Sequence, residues 1–400
     1  MRNTDSDRNE VLFDRVFLPC GVELPNRIVK SAMSDSLGDG CGNPTEAQIS
    51  VYERWADGGV AASIIGEVQS TPDYAEKPGN LVLHSDSNQE SFKTLAKKGS
   101  IGGTQLWLQL GHAGAMSYPA TSKPKGPSAI NIPGLRCAAL SIEEIKELPR
   151  EFARTARLAQ ELGFGGVQIH AAHGFLLSQF LSPLFNKRTD GYGGSANSRM
   201  RLLLEVVDEV RNVVDPQFVV GVKLNSTDQL DGGFEEQAAL EVISALDETG
   251  IDFIDISGGT YFPGAKSSSD STIFGPYFVQ FASRGRRETS KPIMVTGGFK
   301  TKQQAIDAVT TGDIDMIGIA RALVLDPDLP KNWYGPQPVD PDFPRFTSRP
   351  EGGVTAWYTM RLTEIGGGQT MDGSLDLERF LNEYTKRDEA RAQKWLGHFK

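Results

Sequence analysis

The feature that most constrains this chain is an alternation. Eight short apolar, β-branched segments are separated by stretches with helical patterning. The segments are Arg27–Met33, Ala61–Val68, Gln105–Leu110, Gly166–His170, Phe218–Leu224, Asp252–Ser257, Pro292–Thr296 and Asp315–Ile319. Helices are predicted over Thr45–Asp57, Gln89–Lys98, Ile142–Leu162, Ala196–Val214, Glu235–Thr249, Pro276–Glu288 and Lys302–Thr311. Ser141, with Glu144 three places later, has the spacing of a capping box. Strands that alternate with helices pair in parallel. Eight such units predict an α/β chain folded as a closed (β/α)8 TIM barrel. An open doubly wound sheet would want an early Gly-x-Gly-x-x-Gly, which this chain lacks.

Before the first segment, LFDRVFLPCGVELPNR reads as a hairpin turning at Cys20-Gly21 and capping the bottom of the barrel. After residue 340 the composition turns to Pro, Gly and charge (PQPVDPDFPRF, EIGGGQTMDG), then to a helix near Leu375–Gln393. Residues 1–340 are therefore expected to form the barrel, and 341–400 an extension rather than a domain. The net charge of −10 comes with no Lys/Arg run, which argues against nucleic acid or an anionic membrane as partner. A small-molecule substrate is the expectation, with the tail as a possible homo-oligomer contact. Cys20, Cys41 and Cys137 have no Cys-x-x-Cys spacing, so neither a disulfide framework nor a zinc site is implied. The start, MRNTDSDRNE, is polar, and no apolar run approaches the roughly 20 residues that cross a bilayer. A cytoplasmic location is expected.

In such barrels the reacting groups sit where the strands end. Here those ends read Ala32-Met33-Ser34, Glu67 with Val68, Gln109, His170 with His173, Lys223, Ser257-Gly258, Gly297-Gly298 and Ala320-Arg321. Glycines and an arginine on the last strands suit a phosphate, because backbone N–H groups can approach and a guanidinium forks the oxygens. A cation from Lys223 and an amide from Gln109 suit a flavin ring. Taken alone, Lys223 reads equally well as a salt bridge at the barrel mouth, and Gln109 as structural. His170 and His173 could be metal ligands, but His-Ala-Ala-His offers neither a third ligand nor a catalytic glutamate. As neutral donors, they would polarise a substrate oxygen.

The stretch GFGGVQIHAAHGFLLSQFLSPLFNKRTDGYGGSANSRMRLLLEVVDEVR closely resembles the Old Yellow Enzyme family of FMN-dependent ene-reductases, in the branch with a His/His pair. LPNRIVKSAMS, LQLGHAG, VKLNSTD and IGIARAL resemble that family's first, third, fifth and eighth strands. The resemblance implies FMN as cofactor and NAD(P)H as reductant, with hydride passing to an activated C=C bond. It implies that Ala32, Met33, Ser34 and Val68 line the flavin, that Gln109 pairs with its pyrimidine, and that Lys223 faces N1. Gly258, Gly298, Ala320 and Arg321 would hold the phosphate. His170 and His173 would grip the substrate, with Tyr261 on a substrate loop.

The chain departs from the family at Phe175, where a proton-donating tyrosine is usual. Phenylalanine has no proton to give. Tyr74, Tyr118, Tyr192, Tyr261 or water are the substitutes, with Tyr192 read as a turn residue. The same loss opens a second chemistry, that of a flavin-dependent isomerase or a dehydrogenase/demethylase. A third reading is a barrel that binds flavin or a phosphorylated ligand without catalysis. Ser34 stands where Cys or Thr is common, and His112 reads as structural. The loops Tyr118–Leu135 and Tyr261–Ile273 carry no readable code for substrate.

Overall fold

The computed structural model describes residues 10–263, 265, 275–347, 350–369 and 373–400. The first nine residues, and the Tyr261–Ile273 loop apart from 261–263 and 265, lie outside them. Eight parallel strands form the barrel: β1 (Ile28–Lys30), β2 (Ala62–Gln69), β3 (Gln105–Gly111), β4 (Gly166–Ala171), β5 (Val219–Asn225), β6 (Phe253–Ser257), β7 (Ile293–Thr296) and β8 (Met316–Ile319). It closes where β1 pairs with β8 on one side, Ile28 opposite Ile317, and with β2 on the other, Val29 opposite Ala62. Closure satisfies every strand edge, so the whole barrel wall can be apolar.

The surrounding helices are α1 (Glu46–Asp57), α2 (Gln89–Gly99), α3 (Ile142–Glu161), α4 (Ala196–Val213), α5 (Glu236–Asp247), α6 (Val279–Gly285) and α7 (Lys302–Thr310). Their starts follow the sequence signals: Thr45, Asn88, Ser141, Ser195 and Thr301 each accept a backbone N–H of the first turn. Ser141 and Glu144 complete the capping box reciprocally. α6 is shorter than the expected span, beginning only at Val279.

The hairpin pairs Val16–Phe17 with Glu23–Leu24 and lies under the barrel. Val16, Leu18 and Leu24 join Val29, Trp107, Phe253, Met294 and Met316 in one buried cluster. The Cys20 N–H donates to Asp252 Oδ1 (2.9 Å) at the foot of β6, which fixes the plug. Opposite Phe253 the wall must be glycine, because a Cβ on Gly221 would stand 2.2 Å from that ring.

The tail holds more structure than its composition suggests. Residues 341–347 are irregular, but α8 (Gly353–Gly366) follows, and α9 (Leu377–Phe399) runs past the expected Gln393. Only the end of α8 coincides with the Gly-rich EIGGGQ. α8 packs on α1, while α9 lies over the loops that follow β1 and β2, where Arg391 Nη1 donates to Ser36 O (2.5 Å).

Candidate functional site

A buried polar layer crosses the barrel just below its carboxyl-end mouth. Gln109 Nε2 donates to Gln168 Oε1 (2.7 Å), and Gln168 Nε2 donates to Asp255 Oδ2 (3.0 Å). Asp255 also pairs with Lys223 (2.5 Å) and accepts from the Thr296 hydroxyl (2.7 Å). The strand registers dictate this assembly: Gln109 lies opposite Gln168, His170 opposite Lys223, and Lys223 opposite Asp255. The salt-bridge reading of Lys223 is therefore realised. Lys223 Nζ also donates to the Ser31 hydroxyl (3.4 Å), and Gln109 Oε1 has no hydrogen-bond partner among the described residues. A Cβ on Gly66 would stand 3.1 Å from both Gln109 Oε1 and Met33 N, so the loop after β1 meets the end of β3 here. Ala32, Met33 and Ser34 lie on that loop, past the end of the strand, and the buried Ser34 hydroxyl has no partner among the described residues. Val68, next to the buried Glu67, is itself fully enclosed.

The two histidines rise beside this layer, their rings perpendicular with centroids 5.2 Å apart. His170 ends β4. Its Nδ1 accepts the Ala172 N–H (3.2 Å), so Nε2 carries the hydrogen, 3.4 Å from Glu67 Oε1. Burial, then repulsion from His173 and Lys223, drives the His170 pKa well below 6.5. Burial, then the adjoining Glu76, raises the Glu67 carboxyl well above its ordinary range. Both shifts favour the neutral form of each partner.

His173 sits in the left-handed region at φ 61°, a conformation that costs a non-glycine residue about 1 kcal/mol or more. Its neighbours hold it there. Its N–H donates to Asn225 Oδ1 (3.0 Å), and its carbonyl accepts the Tyr261 N–H (3.2 Å). The twist aims the ring so that Nε2 meets Ser257 Oγ at 3.0 Å, leaving Nδ1 without a partner among the described residues. Burial, then Lys223, lowers the His173 pKa to about 3. Both imidazoles are neutral at physiological pH, each with one N–H to offer.

Phe175 is buried against His170, ring centroids 5.1 Å apart. Tyr261 faces both Phe175 and His173 at 6.0 Å and is 65% exposed at the mouth. The other tyrosines are committed elsewhere. Tyr74 stacks on His112 (4.2 Å), Tyr118 backs Lys77, and the Tyr192 hydroxyl donates to Glu205 (2.9 Å). His112 is itself locked, with Nδ1 accepting the Gly114 N–H (3.0 Å) and burial lowering its pKa to about 3.

Across the mouth, Gly297 and Gly298 adopt φ 127° and 85°. A Cβ on Gly298 would collide with Gly275 O at 2.2 Å, so only glycine leaves the backbone bare here. Gly258 follows the end of β6, beside Phe278. Ala320 precedes Arg321, whose guanidinium makes no hydrogen bond or ion pair among the described residues. Nor do the described residues hold a His/Cys/Asp/Glu cluster suited to a metal. No helix among them is long and apolar enough to cross a membrane.

Comparison with known proteins settles the lineage. The NADH:flavin oxidoreductase / NADH oxidase family model matches residues 16–334. The chain belongs to that family. It is 35% identical over 351 residues to the NADH-dependent flavin oxidoreductase iliE of Hypocrea jecorina, covering 79% of this chain and 87% of the relative. It is 35% identical to the like-named protein of Neonectria sp. over 84% of this chain, but spans only about half (50%) of that longer relative. The NADPH dehydrogenase of Bacillus subtilis is 33% identical over 78% of this chain and 92% of its own length. Among solved structures, an old yellow enzyme homologue from Zymomonas mobilis superposes with TM-score 0.72 at 25% identity, covering 87% of this chain and 98% of the other.

As a member of the NADH:flavin oxidoreductase family, the chain is an FMN-dependent oxidoreductase drawing electrons from NAD(P)H. Its own residues fit that cofactor. Arg321 has no acid partner among the described residues, Gly297 and Gly298 leave backbone that only glycine can adopt at the end of β7, and the Gln109 amide and the Lys223 ammonium are linked through Gln168 and Asp255. The sequence reading left Glu67, Ser257, Gln168 and Asp255 without roles. Gln168 and Asp255 could have been found by period-2 spacing, lying two residues before His170 and Ser257 on the inward face. Nothing in the sequence pairs Glu67 with His170.

Proposed function

We propose that this chain reduces the C=C bond of a conjugated carbonyl compound, the substrate oxygen taking hydrogen bonds from His170 Nε2–H and His173 Nδ1–H. The observation that carries this reading is the pair of neutral histidines, each with one nitrogen held by the protein. His170 Nδ1 accepts the Ala172 N–H while its Nε2–H faces Glu67 at 3.4 Å, a contact that a substrate oxygen would take over. His173 Nε2 meets the Ser257 hydroxyl, which places the ring hydrogen on Nδ1 when that hydroxyl donates. FMN, when bound, supplies the hydride. Gln109 and Lys223 orient the ring's pyrimidine edge, Met33, Ser34 and Val68 border it, and Arg321 with the backbone at Gly258, Gly298 and Ala320 holds the phosphate. Two neutral donors stabilise the enolate charge that develops as hydride reaches the β-carbon, and they need no solvent reorganisation to do so.

The proton for the α-carbon cannot come from Phe175. Tyr261 is the tyrosine that faces the vacated position, and at neutral pH a phenol remains protonated. Tyr261→Phe should slow turnover of the enone while leaving reduction by NAD(P)H unchanged. The test of the function is anaerobic reduction of the yellow protein by NADH or NADPH, followed by reoxidation with cyclohexenone and recovery of cyclohexanone. Failure with both nucleotides, or recovery of unreduced enone, overturns it.

A second reading rests on the apolar Phe175 itself. Without prompt protonation at that position, a hydride delivered to the substrate can return after bond rotation, so the site isomerises an enone, or runs as a dehydrogenase or demethylase. Product analysis in deuterated solvent separates the two: reduction fixes solvent deuterium at the α-carbon of a saturated product, and isomerisation gives no saturated product.

A further inference from the structure

The matched family segment stops at residue 334, yet α8 beyond it reaches the proposed phosphate arginine. Its anchor is Trp357, whose Nε1 donates to Ser374 O (2.9 Å) and whose ring packs edge-on against Phe346 and Phe380. The buried Arg361 lies over the same indole at 4.7 Å. Trp357 fixes the rotation of α8, and that rotation directs Tyr358 to the barrel. Tyr358 is buried, with its ring centroid 5.4 Å from the Arg321 guanidinium carbon. Burial pushes its phenol up to about 12, with Arg321 pulling the other way, so the ring stays neutral.

Arg321 has no acid partner among the described residues, and its guanidinium lies over the face of the Tyr358 ring. An aromatic face attracts a guanidinium without occupying its N–H donors. A carboxylate in that place would compete with a phosphate for the same fork. A long side chain left free would instead have to be ordered when the phosphate binds.

We propose that Tyr358 is a positioning residue for the cofactor phosphate, holding the Arg321 guanidinium flat with its donors free, so that the C-terminal extension takes part in FMN retention. This rests on Arg321 as the phosphate ligand, and the experiment separates the two claims. Apoprotein of the full chain is titrated with FMN and with riboflavin, which lacks the phosphate, by flavin fluorescence. In the unaltered chain FMN binds more tightly than riboflavin. Tyr358→Leu weakens FMN by about three- to thirty-fold, the span of a cation–π contact, and leaves riboflavin unchanged, while Tyr358→Phe keeps both. Arg321→Leu abolishes the preference for FMN and makes Tyr358→Leu silent on top of it. If Tyr358→Leu weakens both ligands equally, or neither, the positioning role is wrong. If the unaltered chain shows no preference for FMN, Arg321 as the phosphate ligand falls first, and the role of Tyr358 with it.

Discussion

Replacing Ser257 by alanine tests how His173 is prepared for substrate. Ser257 Oγ lies 3.0 Å from His173 Nε2 and is 5% exposed, so water does not readily replace it. If the hydroxyl donates, Nε2 is the acceptor and the ring hydrogen sits on Nδ1, facing the open side. Losing a buried hydrogen-bond partner costs about 1–3 kcal/mol. The ring can recover part of that by turning or by moving its hydrogen, and either change removes the donor from the substrate. About 1.4 kcal/mol is a factor of ten in affinity, so a phenol titrated against the flavin absorbance should bind about five- to thirty-fold more weakly. Thermal stability should fall by no more than the cost of one buried hydrogen bond, and reduction by NAD(P)H should be unaffected. Unaltered phenol affinity in Ser257→Ala would refute the reasoning, because the tautomer would then be set by something other than this hydroxyl.

Three further outcomes follow from the same geometry. Phe175→Tyr restores an acid beside His170, and should speed protonation of the enone product by about a hundredfold or more if that step limits turnover; stopped-flow reoxidation measures it. Lys223→Met strands the fully buried Asp255 and should destabilise the chain by about 3 kcal/mol, with Asp255→Asn on top recovering much of the loss in a urea melt. His112 and His173 are held near pKa 3 against 6.5 in the unfolded chain. The unfolded state therefore binds more protons below pH 6.5, and the stability present above it is lost progressively as pH falls towards 3. His112→Gln should make the fall of Tm with acid shallower.

The barrel was legible because each strand and most helices carry their own local signal: β-branched runs for the wall, and Thr45, Ser141 and Thr301 as caps. The tail was not. Gly353–Gly366 has Gly at both ends and three Thr, one Val, one Ile, one Trp and one Tyr among its helix formers, so no clean helical pattern marks it, and α8 is held by Trp357 buried against the rest of the tail and by the buried Tyr358 and Leu362. In the site, residues at strand ends were readable one at a time, since the barrel delivers every strand end to one face. Pairings across that face were not. That Lys223 meets Asp255, that Glu67 stands by His170, and that Ser257 holds His173 depend on strand register, which a single chain does not spell out. The strained backbone of His173 was equally hidden, because histidine carries no general preference for φ > 0 as strong as glycine's.

His170 and His173 are proposed to present a carbonyl substrate for hydride transfer. The direct measurement is anaerobic stopped-flow reoxidation of the NADPH-reduced protein by cyclohexenone, in the unaltered chain and in His173→Ala. Reoxidation should saturate with enone in the unaltered chain, and in His173→Ala it should show a higher half-saturation and a slower limiting rate, with reduction by NADPH unchanged. Equal reoxidation in the two proteins, or none by enone in either, would contradict this role.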